Sequence, residues 1–485
     1  MGKYQELIIH NARFAAYTDF DYTIAFGSQY VSYNADTHKF TGISSGTAVV
    51  QATNKTSGIV RYFNLKVNKN AIIIIPGIMG SELFVGDDNP NFEEHMPLFS
   101  KDIINGLSTY RDGKTIRDLI PSAWWQYVTN IPSVIRLYNA WSDAMSCNDD
   151  GTSKYDIYVK EYRSSDSSSR EGNNCGIGNA YSTLYNELIA AYSDRYSVDF
   201  FSYDWRLSNS VSASKLDDYI EHYGYDKVVL VAHSMGGLVA SGYLGRGSLQ
   251  RDKVKKVIYL SSPLLGTPTI ANVWYNEDIS FVAFDNLGVS VEDFAGVYKL
   301  ITGMMDPIQN LICNYVSIYE LFPSKYYFQL TGSSYMSNSY TLVTIGGTNT
   351  VTECSTYTTT KEILTGYFDD FDSDLMALAE AFHDTTFISG NHVSAYVDAS
   401  YWSCYTDSSD DATISHLKFY QVVSNTSYAA GLEVDGAVST GDGLVLRESG
   451  TLAGRYSPKC YYLKGYHMSL VKDTQLFGQW IPNIS

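Results

Sequence analysis

The stretch Val228-Val229-Leu230-Val231-Ala232-His233-Ser234-Met235-Gly236-Gly237-Leu238 decides how this chain is read. Four apolar, mostly β-branched residues, Val228 to Val231, predict a buried strand, and Met235 to Leu244, opening on Gly236 and Gly237, predicts a helix. Ser234 stands at the junction. A turn that tight strains the serine backbone, so the residues two before and two after it must be small, here Ala232 and Gly236. Such an elbow lifts the hydroxyl clear of the sheet and aims the Met235 N–H toward a developing oxyanion. A chance small-x-Ser-x-Gly in a loop would lack the flanking strand and helix.

Outward from the elbow the same rhythm continues. Ala71 to Pro76 (AIIIIP) is a continuous apolar run suited to a strand buried on both faces, followed at once by Gly77-Ile78-Met79-Gly80-Ser81. Leu184, Leu188, Ile189 and Tyr192 fall at helical spacing. Val198 to Tyr203 reads as a strand ending in Asp204-Trp205-Arg206, Ala213 to Tyr223 as a helix, and Val254 to Leu260 as a strand ending in SSPLLGTP from Ser261. Strands alternating with helices predict an α/β fold with a mostly parallel sheet. Ligands bind such sheets at the carboxyl ends of the strands. Gly77, Tyr203 to Arg206, Ser234 and Ser261 to Thr267 all fall there, and Gly77, Met79, Trp205 and Leu264 are read as substrate-binding positions. The loop after the early strand is the place for a second oxyanion N–H, by position that of Ile78.

At 485 residues the chain is long enough for more than one domain, and a net charge of −18 argues against nucleic acid as a partner and against purely electrostatic attraction to anionic membranes. Lipid contact would have to be apolar. The six cysteines contain no CxxC pair, so a structural zinc site is not expected; Cys147 and Cys175 flank a polar, serine-rich segment and are read equally as a loop-closing pair or as free buried thiols. No run of 18 apolar residues is present, and MGKYQELIIH at the N-terminus lacks an apolar signal core.

Residues 1–70 show short alternating segments (Tyr22 to Ala25, Tyr30 to Tyr33, Thr47 to Thr53, Val60 to Val67), the pattern of a small all-β domain, with an N-terminal β-hairpin extension as the alternative. The abrupt change at Ala71 sets the boundary with a second domain, 71–485. Insertions are expected at about 82–180, 271–335 and 355–415. The first holds Trp124, Trp125, Tyr127 and Trp141, and the second Trp274, Met304, Met305 and the run IYELFP from Ile318; both read as apolar cap or lid, or as ordinary packed mini-cores.

A serine nucleophile needs a base to take its proton and a carboxylate to orient that base. In hydrolases with this elbow the partners follow in the order Ser, Asp, His. His233 adjoins Ser234 and should point away from its hydroxyl, and the later histidines are His383, His392, His416 and His467. Asp442, exposed between Gly441 and Gly443, is read as the acid, which leaves His467 alone beyond it as the base. Asp435, in Val434-Asp435-Gly436, is the rival acid.

Together these motifs resemble a family. Gly77 to Ser81, Tyr203 to Arg206, AHSMGG from Ala232, SSPLLGTP, the LFPS of Leu321 to Ser324 and the GDG of Gly441 to Gly443 are similar, in order, to the lecithin:cholesterol acyltransferase-like family, which also includes lysosomal phospholipases. The segment from Tyr33 to Thr53, with its closing strand from Phe63, resembles a bacterial immunoglobulin-like surface domain. The first resemblance implies an α/β-hydrolase core with cap and lid insertions, and Ser234, Asp442 and His467 as catalytic residues with the N–H groups of Ile78 and Met235 as oxyanion hole. It implies a lipid or other ester as substrate, peripheral membrane contact through the cap, and no metal or cofactor. The second implies a secreted or cell-surface bacterial protein whose Ig-like module contacts the cell surface. The activity expected is cleavage of lipid esters through an acyl-enzyme; the alternatives are acyl transfer to an alcohol and a non-catalytic surface binding protein. Ala232 and Leu444 depart from the glycine and threonine usual in the family at these positions.

Overall fold

A computed structural model describes residues 6–10, 13–15, 18–44, 46–86, 96–100, 131–165, 175–193, 195–267, 270, 312–330, 340–344, 350–354, 371–387, 400–406, 431–433, 445, 447–450, 460–463 and 467–472. Seven strands come first: β1 (Glu6–His10), β2 (Arg13–Ala15), β3 (Phe20–Phe26), β4 (Val31–Asn34), β5 (Lys39–Gly42), β6 (Gly46–Asn54) and β7 (Val60–Asn68). They make two small sheets, ordered β1-β7-β6-β3 and β2-β5-β4. The period-2 pattern of β6 and β7 turns Ala48, Val50, Leu65 and Val67 inward, where they meet Val31 and Phe40 of the other sheet in one core. All the pairings are antiparallel except β1 with β7.

The chain passes almost directly from β7 into β8 (Asn70–Ile75), and composition changes where the sheet changes. The remaining strands are β9 (Leu83–Val85), β10 (Met96–Phe99), β11 (Ile157–Tyr158), β12 (Tyr162–Arg163), β13 (Ser197–Phe200), β14 (Lys227–His233), β15 (Val254–Leu260), β16 (Tyr340–Thr344), β17 (Thr350–Cys354), β18 (Ser400–Thr406), β19 (Gly431–Glu433) and β20 (Cys460–Leu463). The main sheet runs β12-β13-β8-β14-β15-β18-β20, parallel throughout except at the edge strand β12.

The apolar runs explain the centre. Every residue of β8 is buried, and its side chains alternate between two cores: Ala71, Ile73 and Ile75 on one face, Ile72 and Ile74 on the other. In β14, Val228, Leu230 and Ala232 join the first face and Val229 and Val231 the second. Helix α1 (Ile131–Met145), α3 (Asn209–His222) and α4 (Gly236–Gly245) cover the first face, and α2 (Ser182–Tyr192) covers the second, as its buried Leu184 and Leu188 require. This is the architecture of an α/β-hydrolase.

Three expectations change. Within 82–180, helix α1 is built into the core rather than laid over it: Trp141 is buried and its indole N–H donates to Leu98 O at 2.7 Å. Trp124, Trp125 and Tyr127 lie outside the described residues. Within 271–335, the run from Ile318 is not an apolar cap; helix α5 (Val316–Leu321) is buried at every residue, and Trp274, Met304 and Met305 lie outside the described residues. Within 355–415, β18 is a strand of the main sheet, and helix α6 (Ser373–Phe387) packs Phe382 beside Gly242 of α4. That segment looked like an insertion because its polar composition hid a strand of the sheet. The strand from Tyr340 joins β17 and β19 in a separate sheet, and of the two readings of Cys147 and Cys175 the structure has the free buried thiols.

Candidate active site

Ser234 follows β14 directly and has φ +53°, a left-handed conformation that a non-glycine residue holds only where its surroundings enforce it. Those surroundings can be named. Ser234 N donates to Leu260 O of β15 at 2.9 Å, and Gly237 N donates back to Ser234 O at 2.9 Å. At Gly236 a Cβ would lie 2.3 Å from Ile75 O, and at Gly237 2.2 Å from Ser262 Oγ. Side chains at either place would push α4 off the sheet and open the turn.

The register places the loops. Ala232 pairs with Ile75 and His233 with Leu260, so Pro76, Ser234 and Ser261 leave the sheet side by side. Gly77 lies over the serine: a Cβ there would stand 2.7 Å from Ser234 Cβ and 3.1 Å from its Oγ. A tight turn follows, closed by Gly80 N to Gly77 O at 3.0 Å, with Met79 at φ +56°. The Gly77 N–H is also spent, on Tyr181 Oη at 2.8 Å. Among the described residues the N–H groups of Ile78 and Met79 have no acceptor, and neither has that of Met235, which caps the first turn of α4. Two sets of unspent donors therefore flank one strained serine.

His467 arrives from the far end of the chain. It is buried in the turn before a short helix, Ser469–Lys472, whose Leu470 and Val471 anchor it in the second core. Its ring centroid lies 4.8 Å from that of His233, and its carbonyl oxygen is 3.1 Å from His233 Nε2. No hydrogen bond joins Ser234 Oγ to a described residue, His467 included. Asp442 and Asp435 lie outside the described residues.

The expected substrate contacts divide. Gly77 sits at the serine, and the half-buried Met79 follows it in the same turn. Trp205 does not present its ring to a substrate: it is fully buried, its indole N–H donates to Ser81 O at 3.1 Å, and it packs edge-on against Phe99 and Tyr315. Leu264 is buried too, within a segment held by LFPS: Thr267 N donates to Leu321 O at 2.8 Å, and Ser324 N to Leu265 O at 3.0 Å. The SSPLLGTP and LFPS motifs are thus partners in one structural clasp.

Arg206 completes the scaffold. Its side chain is fully buried and all five guanidinium N–H groups are used: Nε and Nη2 on Asp204 (2.9 and 2.7 Å), Nη1 on Ala144 O and Met145 O (2.7 and 2.9 Å), and Nη2 on Ser153 Oγ (2.8 Å). Sequence reasoning missed Tyr181 and set His233 aside. Nothing in the spacing of a tyrosine 53 residues before the serine signals a contact that only the folded sheet creates.

No curated protein sequence matches the chain. Solved structures similar to it include a Tle4-Tli4 complex (18% identity, 84% of this chain and 96% of that one, TM-score 0.42). Others are Bacillus licheniformis lipase BlEst2 in mature form (15%, 62% and 85%, TM-score 0.30) and a lipase-esterase related protein from Clostridium acetobutylicum ATCC 824 (12%, 60% and 85%, TM-score 0.23). The fold assignment rests on the strand order and register above. The family model of lecithin:cholesterol acyltransferase matches residues 178–332, about a third of the chain, spanning Tyr203 to Arg206, the elbow, SSPLLGTP and LFPS but not Gly77, Asp442 or His467. The chain thus has the α/β-hydrolase fold, and its central segment is similar to the lecithin:cholesterol acyltransferase family.

Proposed function

We propose that this protein is a serine hydrolase that cleaves carboxylic esters of lipids through an acyl-enzyme. Ser234 Oγ attacks the ester carbonyl while His467 takes its proton. The N–H groups of Ile78 and Met235 receive the oxyanion, and His467 returns the proton to the departing alcohol. Water, activated by His467, then releases the acid. Asp442 orients His467 and stabilises its cation. The observation that carries this reading is Ser234 at φ +53° at the end of a central parallel strand, with the Met235 N–H unspent beside it. His467, next to His233 in the fold, supports its part as base; the bond from serine to base in such sites often tightens only when substrate is bound. The assignment of Asp442 rests on its Gly-Asp-Gly setting and on chain order.

Ser234→Ala is expected to lower turnover roughly 10⁴-fold or more, and a fluorophosphonate probe should label wild type at Ser234 and leave the variant unlabelled. A folded wild-type protein that resists the probe sinks the reading, and would leave the non-catalytic alternative standing. The family match favours a second reading, acyl transfer to an alcohol. Incubation with a phospholipid plus a long-chain alcohol separates the two: new ester in excess of free acid marks the transferase.

Two parts of the proposal concern surfaces. Apolar cap residues contact membranes peripherally, which a panel of esters graded by chain length tests: no rise in rate at a lipid interface counts against it. Residues 1–70 form a bacterial Ig-like module of a secreted or cell-surface protein. Failure of full-length Ser234→Ala protein to bind intact bacterial cells counts against that placement.

A further inference from the structure

His233, the residue before the proposed nucleophile, is buried on the side of the sheet away from α4, and both its ring nitrogens have partners there. Its Nε2 is 3.1 Å from the His467 carbonyl oxygen, and its Nδ1 is 2.8 Å from Tyr181 Oη, which accepts from Gly77 N at 2.8 Å. The partners fix the protons. A carbonyl oxygen only accepts, so Nε2 carries the hydrogen; in a neutral imidazole Nδ1 is then the acceptor, and the Tyr181 hydroxyl donates to it. The lone pair left on that hydroxyl takes the Gly77 N–H. Burial pushes the Tyr181 hydroxyl well above its ordinary range, which keeps the proton in place. The result is a chain of one sense, Gly77 N–H to Tyr181 O–H to His233 Nδ1, then Nε2–H to the His467 carbonyl.

Its two ends matter chemically. Gly77 begins the turn that presents the Ile78 N–H, and His467 is the proposed base. They belong to segments nearly 400 residues apart in the chain. Between them the chain passes through the residue bonded directly to Ser234.

We propose that His233 is a positioning residue: through Tyr181 and the His467 carbonyl it holds the oxyanion turn and the base in register with the nucleophile that follows it. This inference rests on the reading of Ser234 and His467 as catalytic. Displacing a reacting group by about 1 Å costs on the order of 100-fold in rate, so loosening either end should slow acylation rather than substrate binding.

The test is the rate of fluorophosphonate labelling, with kcat and KM for a soluble ester and urea midpoints measured on the same proteins. His233→Gln keeps an N–H long enough to reach the His467 carbonyl; His233→Asn does not. His233→Asn is expected to label about 10- to 100-fold more slowly, with the loss in kcat and KM within about twofold. His233→Gln should recover most of the rate. Tyr181→Phe removes a single oxygen and should also slow labelling. Combined with His233→Asn it should add less than its own effect, because the two belong to one chain. Wild-type rates in both His233→Asn and Tyr181→Phe overturn the inference while leaving the hydrolase reading intact. Equal losses in the Asn and Gln variants overturn it as well, by reducing the imidazole to packing. A wild-type protein that does not label at Ser234 removes both.

Discussion

The loops that leave the adjacent strands β8 and β13 use their polar groups in opposite ways. After β13, Tyr203, Asp204, Trp205 and Arg206 are all buried and bonded: Tyr203 N to Ser81 Oγ, its hydroxyl to Pro76 O, the indole to Ser81 O, and the whole guanidinium to five acceptors. After β8, the Gly77 N–H is spent on Tyr181 Oη and the Gly80 N–H closes the turn onto Gly77 O, while those of Ile78 and Met79 face no acceptor among the described residues. Polar groups in protein interiors are nearly always satisfied, so a fully bonded loop reads as scaffold. Donors left unspent beside a strained serine are what a developing oxyanion requires. The two loops looked equally functional as sequence, and the hydrogen bonds separate them.

Two substitutions break that comparison from its two sides. Arg206→Met should cost about 3–5 kcal/mol of folding stability, because it strands the buried Asp204 carboxylate and two backbone carbonyls. Urea denaturation reads the loss, and the fraction still folded should label at close to the wild-type rate. A stable variant that fails to label would move this loop into the site. Gly77→Ala should do the converse. Its methyl would meet Ser234 Cβ at 2.7 Å, displacing the turn from the nucleophile. Turnover should fall roughly 100- to 1,000-fold, the cost of losing one oxyanion donor, with a much smaller shift in the urea midpoint. Full activity would mean the turn does not contact the reacting centre.

The legibility of the fold followed burial. Residues buried on both faces write themselves as continuous apolar runs, so β8, β14 and β15 were readable, the last to the residue. The same rule failed at β18, whose SYWSCYT carries polar side chains in a strand paired on both edges. At Ile318 to Pro323 it left two readings of an apolar run open, cap or packed core, and the run is core. An apolar segment states that it will be covered, not what covers it. The serine was legible because strand, small residues and helix must coincide locally. Tyr181 was not, because its role exists only in the contact among three distant segments.

The run from Ile318 also offers the finest test. Glu320 of α5 is fully buried, its carboxyl accepting from Ser208 Oγ at 2.5 Å and from Asn209 N and Nδ2, both at 2.7 Å. His383 of α6, equally buried, donates from Nε2 to Glu320 O at 2.8 Å. Burial pushes the Glu320 carboxyl up to about 7 and the His383 imidazole down to about 4. For Glu320, the folded protein keeps a proton that the unfolded chain releases above its ordinary value of 4.5, so stability falls as pH rises toward 7. For His383, the unfolded chain takes up a proton below its ordinary value of 6.5 that the folded protein refuses, so stability rises as pH increases from about 4. Between pH 4.5 and 6.5 the slopes oppose, each at most about 1.4 kcal/mol per pH unit, and they largely cancel in the native pair. Each substitution should unmask the other group. Relative to wild type, Glu320→Gln should make stability climb with pH across this window, and His383→Gln should make it decline. Denaturation at pH 4.5, 5.5 and 6.5 measures both, and slopes of the same sign in the two variants would show that α5 and α6 are not the closed scaffold this comparison requires.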